Sequence, residues 1–123
     1  MRVILLCIFT SFLLSCKHEA RKQFEITGTI KNSDDKMVYL EETPLGSGER
    51  IIVDSSVIKQ DGSYRLSAKR SEESLFNLFF KSQPYPFAFV INDAPQVSLT
   101  ADAKNPSNYI VEGSPASKSL KDF

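Results

Sequence analysis

Tryptophan is absent from this chain, histidine occurs once and cysteine twice, so the thiol and imidazole groups that redox and zinc chemistry use are scarce. The single histidine, His18, cannot form a zinc site by itself, and no other histidine is present to act as the base of a hydrolase triad. Lys and Arg number 15, as do Asp and Glu, so the balanced charge gives no electrostatic reason to bind nucleic acid. We therefore expect no cofactor, no metal, no nucleic acid partner and no enzymatic activity.

A hydrophobic run long enough to span a membrane is also missing. The apolar run at residues 3–14 has about a dozen residues, whereas a membrane-spanning helix needs roughly 20. It follows the cation Arg2 and leads to the small Ser15 and then Cys16. This order resembles the signals of bacterial lipoproteins, in which a peptidase cuts before a lipidated cysteine. The resemblance implies a signal peptide over residues 1–15, cleavage between Ser15 and Cys16, and acylation of Cys16.

Three other interpretations of this segment are a buried helix, an uncleaved anchor and a plain secretory signal. Acylation of Cys16, with Cys7 lost in the signal peptide, leaves neither a free thiol nor a disulfide. Residues 16–23 then form the lipidated cysteine and a polar tether. Lys17 is not the aspartate that retains many lipoproteins in the inner membrane. By the same resemblance, we expect a lipid-anchored cell-envelope protein, in the outer membrane and facing the periplasm.

From residue 24 onward the hydrophobic pattern has a period of two. Alternating or apolar segments lie at residues 24–31, 38–41, 51–58, 64–68, 75–80, 87–91, 97–101 and 109–112. Gly, Pro, Asn and Asp clusters separate them roughly every ten residues, without a helical period. The pattern predicts an all-β domain over residues 24–113, an antiparallel sandwich or open barrel of about seven or eight strands. We also predict one hairpin between the first two segments and another at Asp61-Gly62.

Residues 114–123 have a different pattern. Ser114 is suited to an N-cap and Pro115 to the first helical position, and Leu120 and Phe123 are three residues apart on one face. A helix of nine residues at most is shorter than the roughly 12–15 that are marginally stable alone. The pattern therefore predicts the start of a linker helix in a longer protein. A short native tail is the alternative.

Several short motifs together suggest a family. They are FEITGTI (24–30), VYL (38–40), VDSSV (53–57), DGSY (61–64), FVIN (89–92), VSLT (97–100) and VEGSPA (111–116). Over residues 24–120 the chain resembles the uncharacterised β-rich domain that precedes a thioredoxin-like domain in many Gram-negative lipoproteins. Those proteins are similar to thiol–disulfide interchange proteins and to the alkyl hydroperoxide reductase/thiol-specific antioxidant family. The resemblance implies a thioredoxin-like partner with a Cys-x-x-Cys turn, to which nothing in this sequence corresponds.

Aromatic residues concentrate in the second half of the predicted domain, as Phe76, Phe79, Phe80, Tyr85, Phe87 and Phe89. Strand alternation places Phe76 and Phe80 on one face, which we expect to be core, and Phe79 on the other. Tyr85 lies between two prolines in a rigid turn. We therefore predict Phe79 and Tyr85 as partner contacts.

Acidic pairs such as Glu41 and Glu42 do not predict catalysis, because neighbours on a strand point to opposite faces. The sequence favours a non-catalytic accessory or docking domain, normally attached to a thioredoxin-like domain. The alternative is a free-standing envelope module that binds a glycan, a peptide or a protein.

Overall fold

The computed structural model describes residues 23–44, 46, 48–69 and 72–123. The strands are β1 (Gln23–Lys31), β2 (Met37–Thr43), β3 (Ile51–Val57), β4 (Ser63–Lys69), β5 (Leu75–Phe79), β6 (Ala88–Ile91), β7 (Gln96–Asp102) and β8 (Ile110–Glu112). A 3₁₀ turn, Pro106–Asn108, precedes β8, and one helix, α1 (Pro115–Asp122), follows it. The predicted signal peptide, Ser15 and Cys16 lie outside the described residues. Gln23, predicted as the end of the tether, is instead the first residue of β1.

The eight strands form two four-stranded sheets. The first sheet has the order β4-β1-β7-β8 and the second the order β3-β2-β5-β6. The predicted sandwich is confirmed, and the sheets do not close into a barrel. All neighbouring strands are antiparallel except β1 and β7, which run parallel. The chain between these two strands passes through both sheets, which gives it the long crossover that parallel pairing requires.

Alternating side chains from both sheets fill a single core. Phe24 and Ile26 of β1 and Phe76 and Leu78 of β5 are fully buried. The rings of Phe24 and Phe76 lie 5.1 Å apart between centroids, so the two sheets are in direct aromatic contact. Burial of each such side chain stabilises the fold by about 1.5–3 kcal/mol. In β6 the alternation leaves Phe89 outside the core.

Both predicted hairpins are wrong, because each turn joins strands that belong to different sheets. β1 pairs with β4 and β7, whereas β2 pairs with β3 and β5. The turn at Asp61-Gly62 is present, with Gly62 at φ 85°, but it leads from β3 in the second sheet to β4 in the first. Hydrophobic alternation specifies which face of a strand is buried, but it does not specify which strand lies beside it.

Side chains, rather than a backbone ladder, join the edges of β3 and β4. Asp54 Oδ2 accepts a hydrogen bond from the Ser67 N–H at 2.8 Å. Ser56 Oγ accepts one from the Arg65 N–H at 3.1 Å. Two edge amides that no neighbouring strand pairs are thereby satisfied, and this side of the sandwich is closed without a further strand.

The edge of β6 is covered by α1. Ser114 is the N-cap, as predicted, and its Oγ accepts a hydrogen bond from the Ser117 N–H at 3.0 Å. The buried hydroxyl of Ser117 accepts from the Ile91 N–H at 2.8 Å and donates to the Ile91 carbonyl at 3.2 Å. Asp93 Oδ2 accepts from the Ala116 N–H at 3.0 Å, where the helix dipole favours negative charge. Among the described residues, no helix is both long enough and apolar enough to cross a membrane.

Glycine is required at position 28, where β1 and β7 approach closely. A Cβ atom on Gly28 would lie 1.8 Å from the carbonyl oxygen of Leu99. The same carbonyl accepts a hydrogen bond at 2.7 Å from the hydroxyl of Tyr64, the residue opposite Gly28 on β4. Burial raises the pKa of the Tyr64 phenol well above its ordinary value. The close approach and the tyrosine bond together hold β7 against β1.

Candidate functional site

β5 divides its aromatic side chains between the two faces of the second sheet, as the alternation predicts. Phe76 on β5 and Phe80, just after it, are buried in the core. Phe79 lies on the outer face, half-buried, with its ring stacked on that of Tyr39 at 5.4 Å between centroids. Tyr39 and Phe79 are directly opposite each other on β2 and β5. They form an aromatic platform on the side of the sheet that points away from the core.

The turn between β5 and β6 is held at both ends. The rings of Phe80 and Phe87 stack at 4.6 Å with an interplanar angle of 12°. The Phe87 N–H donates to the Leu78 carbonyl at 2.9 Å, which closes the base of the turn. Near its start, the hydroxyl of Ser82 donates to the carboxylate of Asp35, and the Ser82 N–H donates to the same carboxylate at 3.2 Å. These contacts fix the turn that carries Tyr85.

Tyr85 is 79% exposed, which is unusual for an aromatic side chain in so well-anchored a turn. It lines a cleft of about 240 Å³ that Phe79 also lines. The other residues around this cleft are Glu41, Arg50, Lys81, Gln83, Pro84 and Pro86. We call it the Phe79–Tyr85 cleft. The structure thus brings together the two residues that the sequence predicted as partner contacts, and their role as contacts stays a prediction.

The charges around the Phe79–Tyr85 cleft are unequal. The carboxylate of Glu41 lies 3.7 Å from Arg50 Nε, in an ion pair with side-chain exposures of 14% for Glu41 and 68% for Arg50. The Nζ atom of Lys81 lies 4.7 Å from the centroid of the Tyr39 ring, a cation–π contact. Among the described residues, no carboxylate forms an ion pair with Lys81. The cleft therefore carries an excess of positive charge.

Asn77 is a buried polar residue on the outer face, between its cross-strand neighbours Glu41 and Phe89. Its side-chain amide donates a long hydrogen bond of 3.4 Å to Glu41 Oε1. Its Oδ1 atom is the one buried side-chain oxygen or nitrogen in the described part of the chain that lacks a hydrogen-bond partner. An unpaired buried acceptor of this kind costs about 1–3 kcal/mol. Glu41 is thus engaged by both Asn77 and Arg50 beneath the cleft.

The acidic pairs do not assemble into a shared site. Glu41 lines the Phe79–Tyr85 cleft, whereas Glu42 lines a separate groove beside β4. Asp35 accepts hydrogen bonds from Ser82, and Asp54 accepts one from Ser67. Within the described ranges, no three His, Cys, Asp or Glu side chains are grouped so that they could hold a metal ion.

Sequence reasoning identified the aromatic residues of the cleft but missed the charged ones. Arg50 and Lys81 lie outside any strand, and their proximity depends on how the loops before β3 and after β5 fold back. The Asp35–Ser82 contact joins residues 47 positions apart, and no local pattern indicates it. The one usable signal was Glu41, a charge on the same face of β2 as Tyr39.

Comparisons with known proteins place the domain in a family but give no function. A family model described as "Domain of unknown function (DUF4369)" matches residues 24–120. This confirms the predicted resemblance to an uncharacterised domain over those residues, while the lipoprotein and thioredoxin-like context stays a prediction. Searches of curated proteins and of solved structures gave no significant match.

Proposed function

This chain belongs to the family of domains of unknown function DUF4369, and from that premise we propose that it is a non-catalytic docking domain of a membrane-anchored envelope lipoprotein. The single observation that carries the proposal is the exposed Tyr85, held in an anchored turn beside Phe79. Exposed aromatic side chains in a rigid setting lose little conformational entropy on binding, and they are enriched at protein interfaces. An aromatic cleft of this kind suits recognition better than catalysis.

The proposed partner is a thioredoxin-like domain, which carries the thiol chemistry, and the proposed anchor is an acyl group on Cys16. The partner rests on the motif resemblance over residues 24–120, and the anchor on the order of Arg2, the apolar run, Ser15 and Cys16. On this proposal the domain lies in the outer membrane and faces the periplasm. It would hold its partner close to the membrane, where a tether raises the effective concentration of one for the other.

Site-specific photocrosslinking tests the docking role. The full chain is produced in a bacterial envelope with Tyr85→p-benzoylphenylalanine, irradiated, and the crosslinked products are identified by mass spectrometry. We expect crosslinks to a segment that contains a Cys-x-x-Cys turn. The matched control places the same residue at Ser98, which is exposed on β7 in the other sheet. Crosslinks of equal yield from the two positions, or none from position 85, would contradict the proposal.

Palmitate labelling tests the anchor. The wild-type chain should incorporate labelled palmitate, whereas Cys16→Ala should not, because only a cysteine can be acylated at the cleavage position. Equal labelling of the two chains would show that Cys16 is not the acylated residue.

A second candidate function is a free-standing binding module, and it too is favoured by the exposure of Tyr85. It predicts that position 85 crosslinks to a free peptide, or to no protein at all while a glycan array retains the chain. In either case Tyr85→Ala should abolish the interaction, whereas Ser98→Ala should not.

A further inference from the structure

The chemistry of the cleft indicates what kind of segment it binds, because its one carboxylate is already occupied. Glu41 accepts from Asn77 and faces Arg50, so its charge is compensated inside the domain. Arg50 uses its Nε atom in this pair and its side chain is largely exposed, which leaves its two terminal nitrogens for another acceptor. Planar guanidinium groups bind carboxylates through such paired donors.

Lys81 supplies a positive charge that no carboxylate among the described residues pairs with. Its ammonium group lies over the Tyr39 ring, a contact that positions the cation without neutralising it. Lys81 follows the stacked residue Phe80, in the turn that Ser82 anchors to Asp35. The cation therefore projects from a fixed backbone at the margin of the Phe79–Tyr85 cleft.

The remaining walls of the cleft are mostly apolar, and Gln83 adds one side-chain amide. Phe79, Pro84 and Pro86 provide no side-chain hydrogen-bond donor or acceptor, and Tyr85 provides one hydroxyl. A sugar ring needs several donors and acceptors for its hydroxyl groups, whereas the carboxylate of Glu41 is already engaged and the remaining uncharged polar groups are the Gln83 amide and the Tyr85 hydroxyl. An extended peptide needs fewer hydrogen-bond partners from the cleft. One apolar side chain can pack against the aromatic wall, and one negatively charged group can contact Lys81 and Arg50.

Building on the docking function proposed above, we propose that the Phe79–Tyr85 cleft binds an extended acidic segment of the partner protein, in which an apolar side chain neighbours an aspartate or glutamate. The apolar side chain packs between Phe79 and Tyr85, and the carboxylate is bound by Lys81 and by the terminal guanidinium nitrogens of Arg50. The charge on the bound segment is thus opposite to the excess charge of the cleft, which favours an acidic segment over a neutral or basic one.

Binding of four short peptides to the purified full chain in detergent tests this inference. The peptides share one Gly-Ser framework and carry Phe-Asp, Phe-Asn, Phe-Lys or Ala-Asp at the centre, and binding is followed by NMR shifts of the backbone amides of Lys81, Ser82, Gln83 and Tyr85. We expect Phe-Asp to bind about fivefold more tightly than Phe-Asn and Ala-Asp, and Phe-Lys to bind most weakly. The advantage of Phe-Asp over Phe-Asn should shrink when salt rises from about 50 to about 500 mM.

Variants assign the effect to the cleft. Lys81→Gln should remove most of the difference between Phe-Asp and Phe-Asn, and Tyr85→Ala should weaken both peptides equally. The control Lys118→Gln changes an exposed lysine of α1 that lines a different groove, and it should leave both affinities unchanged. Equal binding of Phe-Asp and Phe-Asn by the wild-type chain would overturn the inference.

The outcomes separate this inference from the docking function itself. If position 85 crosslinks to a Cys-x-x-Cys protein but the peptides show no preference for Asp, docking stands and the acidic segment is wrong. If no peptide shifts the backbone amides of Lys81, Ser82, Gln83 and Tyr85 and an acidic polysaccharide such as polygalacturonate does, the occupant is a glycan and both proposals fall.

Discussion

The variant Ser117→Ala removes one hydroxyl from the contact between α1 and β6. That hydroxyl accepts from the Ile91 N–H at 2.8 Å and donates to the Ile91 carbonyl at 3.2 Å, and Ser117 has no exposed surface. Water cannot replace it without opening the contact, so the Ile91 amide is left without an acceptor. An unsatisfied buried donor costs about 1–3 kcal/mol. An eight-residue helix is not stable alone, so α1 depends on its contact with β6. We therefore expect Ser117→Ala to lower the free energy of unfolding by about 2 kcal/mol.

Urea unfolding measures this loss, and hydrogen exchange of the Ile91 amide locates it. The matched control is Ser119→Ala, which makes the same chemical change on the exposed side of the same helix. Alanine favours the helix slightly more than serine does, so this control should change stability by no more than about 0.5 kcal/mol. In Ser117→Ala, the Ile91 amide should exchange faster than the amides in the centre of β5, because the edge opens before the core.

If the two variants are equally stable, and the Ile91 amide exchanges as slowly in Ser117→Ala as in the wild type, the reasoning fails. The contact of α1 with β6 would then depend on other side chains, and the hydroxyl would be incidental.

Two further predictions concern the contact between β1 and β7. Gly28→Ala should lower the free energy of unfolding by more than about 3 kcal/mol, because the backbone of Leu99 cannot yield to an atom at 1.8 Å. Thermal unfolding checks this, with Thr27→Ala, an exposed change on the same strand, as the control. Similar unfolding midpoints for the two variants would contradict it. Burial raises the pKa of Tyr64, so folding favours its protonated form; stability should be complete below the ordinary tyrosine pKa of about 10 and should fall as pH rises above it. Urea midpoints from about pH 9 to about pH 11 should fall less steeply in Tyr64→Phe, and an unchanged slope would show that this phenol does not titrate on unfolding.

Local signals explain what could be predicted from the sequence. Ser114 and Pro115 specify the start of α1 through their own side chains, and the period-two pattern identifies the strands together with their buried faces. The pairing of strands depends on contacts between distant parts of the chain. Residues 24–31 and 38–41 looked like a hairpin because a short turn joins them, yet both strands bury their apolar face equally well in opposite sheets. The parallel neighbour of β1 lies some seventy residues further on.

The candidate site shows the same division. Phe79 and Tyr85 were predictable because alternation and proline spacing are local. Outside the site, at the contact of α1 with β6, the buried role of Ser117 was not predictable, since a serine in a short amphipathic helix is usually a surface residue. Lys81 could not be found from a pattern, because its relation to Tyr39 arises only when β2 and β5 pair.

The covered edge strands limit how copies of this domain can pair with one another. The side chains of Asp54 and Ser56 accept hydrogen bonds from edge amides of β4. Helix α1 covers the edge of β6, and the edge strand β8 has only three residues. A second copy therefore finds little bare backbone onto which it could extend a sheet. Copies at a high local concentration should therefore stay separate, and the Phe79–Tyr85 cleft should stay exposed rather than become buried in polymers of the domain.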